Sequence, residues 1–126
     1  MATTPRVSPG ANQDNTARQD TNDYKNPVYA AAITIVTRQK RTVVQVGQLT
    51  GAITVNLGVG SASLAPFVGD TLQILFSSDG TSRTVTWGTG TAITAATLVL
   101  GISKKAFAEF MFDGTVWVET SRSTQA

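Results

Sequence analysis

Few residue types in this sequence could carry chemistry. The chain contains no cysteine and no histidine, which excludes Ser-His, Cys-His and thiol mechanisms and metal sites built from those ligands. The acids after residue 28 are sparse, and two of them, Asp79 and Asp113, each precede a glycine. Asp-Gly is typical of turns, because the carboxylate bonds the backbone and glycine adopts positive φ. We therefore expect neither a paired-carboxylate hydrolase nor a cofactor or metal site, and no enzyme.

Four further motifs imitate functional sites but lack a required part. Adjacent strand residues face opposite sides, so Ser103-Lys104 is not a catalytic dyad. Residues 88–91 lack the third glycine and the Lys-Ser/Thr of phosphate-binding loops. Residues 20–23 lack the glycine and closing glutamate of a calcium loop. The basic residues within 38–41 have no interleaved aromatics, so we expect a solvated hairpin tip or a contact with an acidic protein patch rather than nucleic-acid binding.

The chain divides near residue 28. Residues 1–27 are rich in Asn, Asp, Gln, Thr and Pro and show neither helical nor strand periodicity. Such a segment cannot bury enough apolar surface to fold alone, so an extended, flexible arm is expected. Its first ten residues lack the apolar run of a secretory signal, and no stretch of the chain is apolar for long enough to predict a membrane span.

Residues 28–126 carry short runs of alternating apolar and polar residues separated by Gly, Ser and Asp. This pattern predicts about eight short strands in an antiparallel β-sandwich of jelly-roll type. Similar segments ending at Gly58, Gly88 and Gly101 recur at unequal spacing, which argues against a solenoid. The predicted core consists of Ile53, Val55, Leu57, Leu72, Ile74, Phe76, Val85, Trp87, Phe110, Val116 and Val118.

The last hairpin allows a prediction of register. A three-residue loop at 112–114 pairs Phe110 with Val116 and Ala108 with Val118, which gathers one apolar face. Four residues then point outward, namely Glu109, Met111, Trp117 and Glu119. Only 14% of the chain is charged, and Trp and Met are enriched at interfaces, so Met111, Trp117 and Glu109 are candidates for a subunit interface. The alternatives are that the arm or a loop covers this face, or that the chain is a β domain with a bland surface.

Several of these motifs stand in a recognisable order between about residues 50 and 122. They are Gly69-Asp70-Thr71-Leu72, Asp79-Gly80, the strand 83–88, the strand 97–101 and the closing hairpin 112–119. The series resembles a small β domain that recurs in virion proteins of tailed bacteriophages, in head decoration (cement) proteins and in some fibre or tail proteins.

The resemblance implies a decoration protein on the outer surface of the phage head, often trimeric, that clamps neighbouring major capsid protein subunits. It would be made in the host cytoplasm and not secreted, with no nucleic acid, membrane or small-molecule substrate among its partners. The alternatives are a tail or fibre component that binds a receptor, and a binding module or enzyme outside any virion. In the arm and its junction, the expected capsid-binding residues are Arg6, Arg18, Tyr24, Lys25, Pro27 and Tyr29.

Overall fold

The computed structural model describes residues 22–60, 65–93 and 95–125. These residues form an all-β fold in which no helix is found, and so none that could cross a membrane. The strands are β1 (Asn22–Lys25), β2 (Ala32–Ile35), β3 (Arg41–Gln45), β4 (Ile53–Leu57), β5 (Thr71–Ser77), β6 (Arg83–Trp87), β7 (Thr91–Ala92), β8 (Thr97–Leu100), β9 (Lys105–Phe112) and β10 (Trp117–Thr124).

The strands form two mixed sheets. The six-stranded sheet has the order β1-β3-β5-β9-β10-β7, and the four-stranded sheet has the order β2-β4-β6-β8. Strands β1, β3 and β5 are parallel, as are β2, β4 and β6. Strands β8 and β9 then run antiparallel to β6 and β5. The prediction of purely antiparallel pairing, as a jelly roll would have, is therefore wrong.

The first six strands wind as a coil, because consecutive strands alternate between the two sheets. Parallel neighbours need a crossover connection, and here the passage through the opposite sheet provides it. The number of residues between paired positions on neighbouring parallel strands is smallest from Asn22 to Arg41 and largest from Ile53 to Val85. The unequal spacing of the segments that end in glycine therefore does not exclude a coil of strands. The connections between strands differ in length, and the strands stay paired in register.

Both sheets contribute to one core, which gives the molecule a sandwich-like form. The indole ring of Trp87 on β6 lies 5.9 Å from the ring of Phe76 and 5.1 Å from that of Phe110, both in the other sheet. Alternation in β4, β5 and β6 directs the residues expected inside into this core. The buried residues of the predicted set are Ile53, Val55, Leu57, Leu72, Ile74, Phe76, Val85, Trp87 and Phe110.

The predicted register of the last hairpin is wrong, and with it the assignment of Val116 and Val118 to the core. Phe112 pairs with Trp117 across a four-residue loop. The Asp113 carboxylate fixes this loop by accepting hydrogen bonds from the backbone N–H groups of Thr115 (2.8 Å) and Val116 (2.9 Å). Phe110 is opposite Glu119 instead of Val116, and any such odd shift reverses the faces of a strand. Trp117 is therefore fully buried, Val118 is 36% exposed, and Val116 lies half-buried in the loop.

A β-bulge changes the direction of the side chains further along β10. The pairing passes from Glu119 opposite Phe110 to Ser121 opposite Glu109, so Thr120 is the extra residue. The Glu119 side chain, expected to point outward, is only 2% exposed and pairs with Arg122 at 2.7 Å. Arg122 also donates to the carbonyl oxygens of Thr97 (2.7 Å) and Ala95 (3.0 Å). This ion pair, whose carboxylate is buried and whose guanidinium side chain is 23% exposed, links β10 to the segment that enters β8.

The expected boundary at residues 27/28 falls inside the folded part of the chain. Strand β1 belongs to the six-stranded sheet and pairs with β3 from Asn22 to Lys25. Residues 1–21 of the predicted arm, including Arg6 and Arg18, lie outside the described residues.

Candidate functional site

The acids that face solvent in the turns have local structural partners. The Asp79 carboxylate accepts two hydrogen bonds from Arg83, at 2.8 and 2.9 Å, which hold the pKa of Asp79 below its ordinary value and raise that of Arg83. Hydrogen bonds from the N–H groups of Val116 and Thr115 lower the pKa of Asp113 in the same way. Within the described residues, no three His, Cys, Asp or Glu side chains come together as a metal site. The predicted turn chemistry is complete at Asp113-Gly114, where Gly114 has φ +105°. At Asp79-Gly80 the carboxylate accepts the Thr81 N–H, but Gly80 does not adopt positive φ.

The exposed side of the six-stranded sheet carries a set of apolar side chains, which we call the outer face. Register places them side by side: Tyr24 lies beside Val43, Leu75 beside Phe107, and Met111 beside Val118. Tyr24 is 59% exposed and Met111 is 44% exposed, while Val43, Leu75 and Phe107 are half-buried. The outer face is defined by Tyr24, Val43, Leu75, Phe107, Met111 and Val118.

Polar side chains cross the outer face in a connected row. Arg41 donates to the Gln73 Oε1 at 3.3 Å, and Gln73 donates to the Glu109 Oε2 at 3.0 Å. Near one edge, the Tyr24 hydroxyl donates to the Gln45 Oε1 at 2.8 Å. These bonds hold long side chains across the sheet, so the face combines ordered polar groups with apolar contact area.

Of the three predicted interface residues, two lie on this face. Glu109 and Met111 are two residues apart on β9 and point to the same side. Trp117 does not join them: its indole is buried against Phe112, with ring centroids 5.2 Å apart, and donates from Nε1 to the Gly58 carbonyl at 3.2 Å. The prediction of Trp117 as a contact residue is wrong because the hairpin loop is one residue longer than expected.

The junction residues separate into different environments. Tyr24 lies on the outer face, whereas the Lys25 ammonium pairs with Asp23 at 3.1 Å. The Pro27 carbonyl accepts the N–H of Gly47 at 2.8 Å. Tyr29 packs against the core, and its hydroxyl donates to the Ala52 carbonyl at 2.8 Å. Pro27 and Tyr29 thus have structural contacts.

A cleft of about 460 Å³ opens between β1 and β2. Its lining residues are Lys25, Asn26, Pro27, Ile33, Thr34, Ile35, Val36 and Val44. We call it the coil-end cleft, because β1 and β2 are the first strands of their sheets. No sequence motif indicates this cleft, because a cleft at the end of a coil follows from the parallel stacking of strands.

No family model matches this chain, and no curated protein shows a significant match to its sequence. The outer face and the coil-end cleft are therefore the observations from which function can be argued, together with the order of the turn motifs.

Proposed function

We propose that this chain is a non-enzymatic structural protein of a phage particle: a capsid decoration (cement) protein that binds the outer surface of the head. The proposal places its contact with the major capsid protein on the outer face. The observation that carries it is the exposure of Tyr24 and Met111 on the outer side of the six-stranded sheet, beside the order of motifs that resembles phage virion domains.

The chemistry of the outer face suits a protein partner. Tyr and Met are enriched in the centres of protein interfaces, and an exposed apolar patch rimmed by polar groups marks such a site. The row Arg41–Gln73–Glu109 offers both donors and acceptors, which would set the orientation of the docked surface. Weak single contacts suffice on a capsid lattice, because linked copies gain avidity.

The proposal includes a homotrimer on the capsid, which the resemblance implies. Trp117 is buried and cannot serve as a contact between copies, and this proposal gives Met111 and Glu109, the other two candidates for a subunit interface, to the contact with the capsid. Light scattering of the free protein, at several protein and salt concentrations, tests whether the trimer forms in solution. A mass of 13.2 kDa, that of a monomer, would mean that the trimer forms only on the capsid lattice.

Binding to phage heads that lack the protein tests the proposal. We expect Tyr24→Glu and Met111→Glu to weaken binding at least about tenfold, since each loss of about 1.4 kcal/mol is a factor of ten, while their melting temperatures stay near that of the parent. Val99→Glu is the matched control, because Val99 is 53% exposed on the outer side of the other sheet.

Two results would contradict the proposal. Outer-face variants that bind as well as the control would show that another surface docks. Absence of the parent protein from heads, with density at the tail, would favour the tail or fibre function instead.

A further inference from the structure

One carboxylate lies at the centre of the outer face. Glu109 belongs to β9, which together with β5 forms the middle of the six-stranded sheet. Alternation along β9 places Phe107 before it and Met111 after it on the same side, and Glu109 itself is half-buried between them. The other acids of the described residues lie in turns, in the interior or on the inner side of the sheet, namely Asp23, Asp70, Asp79, Asp113 and Glu119. Within this part of the chain, Glu109 is therefore the acid that a partner on the outer face would meet.

No cation among the described residues forms an ion pair with Glu109. The ion pairs found there involve other acids, namely Asp23, Asp79 and Glu119. Lys105 points to the same side of β9, but its Cα lies about 13 Å away at roughly 3.3 Å per residue, beyond the screening length of about 8 Å at physiological salt. Arg41 lies two strands away, and its guanidinium bonds to Gln73 at 3.3 Å. In the described structure, Glu109 thus has no opposite charge beside it.

Both the backbone and the side chain of Glu109 are held in position. Thr120, the extra residue of the β10 bulge, donates from its hydroxyl to the Glu109 carbonyl oxygen at 3.2 Å. Gln73 donates from its amide to the Glu109 Oε2 at 3.0 Å. A carboxylate can accept more hydrogen bonds than this one, and bulges often occur where a side chain is aimed at a functional position. The outer face therefore presents a fixed negative charge with acceptor capacity to spare.

Docking of a partner on the outer face removes Glu109 from water. An ionised carboxylate that is buried without a charged partner is strongly unfavourable, whereas a paired and hydrogen-bonded one can be tolerated. Hydrogen bonds between a carboxylate and a lysine or arginine are about twice as strong as neutral ones. We propose that the partner places a cationic side chain, lysine or arginine, against Glu109 when it covers this face.

This inference rests on the proposed function and names the chemistry of the partner. It requires of the major capsid protein a basic side chain within an apolar patch, because Phe107 and Met111 flank the carboxylate. Complementary charges fix the register of an interface, so this pair would also determine how the docked surfaces are aligned.

Two substitutions test the proposal by the sign of their effect. Glu109→Gln and Glu109→Met both remove the charge and nearly keep the size, and Gln also keeps an oxygen acceptor for Gln73. If a cation faces Glu109, both variants leave it unpaired in the interface and should dissociate at least about tenfold faster than the parent. If no cation is there, removal of an unpaired buried carboxylate should slow dissociation instead.

The dissociation rate is measured on phage heads that lack the protein. Heads are loaded with isotope-labelled parent or variant, chased with an excess of unlabelled parent and sedimented at successive times. The matched control is Asp79→Asn, which removes one negative charge from a turn between β5 and β6 and should dissociate like the parent. Melting temperatures near that of the parent show that the Glu109 variants are folded.

The outcomes separate this inference from the function on which it rests. Faster dissociation of both Glu109 variants, beside an unchanged control, supports the cationic partner. Unchanged or slower dissociation overturns it, and the proposed function stands if Tyr24→Glu and Met111→Glu still weaken binding. A parent protein that does not bind heads overturns both. An oligomer of the free parent that Glu109→Gln dissociates in light scattering also overturns the inference, because the outer face is then occupied by a second copy.

Discussion

Replacement of Trp117 tests the register of the β9–β10 hairpin. The four-residue loop buries this indole completely against Phe112 and beneath the Gly58 carbonyl. The three-residue loop predicted by the sequence would put it in solvent. Trp117→Ala and Met111→Ala therefore form a matched pair on opposite faces of one hairpin, and the two registers reverse the expected order of their effects.

The magnitude follows from the contacts of the indole. Truncating a buried Trp to Ala costs about 3–5 kcal/mol through the lost transfer energy and the cavity. Truncation also removes the hydrogen bond to the Gly58 carbonyl, and an unsatisfied buried polar group costs about 1–3 kcal/mol. Part of this cost is already contained in the truncation energy of the indole. Because small domains have about 5–15 kcal/mol of stability, Trp117→Ala should remove a large part of it. Met111→Ala at an exposed position should change it by about 0.5 kcal/mol or less.

Thermal unfolding followed by far-UV circular dichroism measures the difference. For a domain of this size about 4–8 °C correspond to 1 kcal/mol, so Trp117→Ala should melt more than about 12 °C below the parent. Trp117→Phe keeps a ring but loses the N–H donor and should fall between the two. A Trp117→Ala protein that melts with the parent, beside a strongly destabilised Met111→Ala, would refute the buried register.

Two further predictions concern the turns. Gly90 has φ +82° and a Cβ there would overlap the Leu57 carbonyl, Gly69 has φ +92° with open space around it, and Gly80 has neither constraint. In urea denaturation, the free energy of unfolding of Gly80→Ala should stay within about 0.5 kcal/mol of the parent, and Gly69→Ala should lose about 1–2 kcal/mol because of its left-handed backbone. Gly90→Ala should lose more than Gly69→Ala, and equal effects at all three positions would contradict this order. Asp79 has a folded-state pKa below its ordinary value of 3.8, so its contribution is present above that pH and is lost as the pH falls through the folded-state pKa; the melting temperature of the parent should therefore approach that of Asp79→Asn below about pH 3.8, and a gap that stays constant into acid would argue against the Asp79–Arg83 contact.

The strands and most of the core were predictable because they depend on local pattern. Alternation of large β-branched or aromatic residues with small polar ones is enough to orient β4, β5 and β6, and their inward residues, such as Val55, Ile74 and Trp87, are buried as expected. The Asp-Gly turns were also readable, since both carboxylates bond to backbone N–H groups nearby in sequence.

Register was not predictable, because it depends on one residue. Apolar pairing favours the three-residue loop that brings Val116 and Val118 onto one face, but Asp113 bonds to two N–H groups and stabilises a loop one residue longer. The same register places Glu119, two residues beyond Trp117 and opposite Phe110, on the inner side, where Arg122 compensates its charge. Glu119 keeps the alternation of Trp117 and Val118, so the wrong register, and not a break in the pattern, assigned it to the wrong side.

The direction of the strands explains why the candidate surfaces were only partly foreseen. At one end of the coil, β8 and β9 turn back and pair antiparallel with β6 and β5, and Arg122 joins β10 to the carbonyls of Ala95 and Thr97. At the other end, β1 and β2 have no such returning strands among the described residues, and the coil-end cleft lies between them. Within the described residues, strands that return at one end only thus make the two ends of the coil unlike.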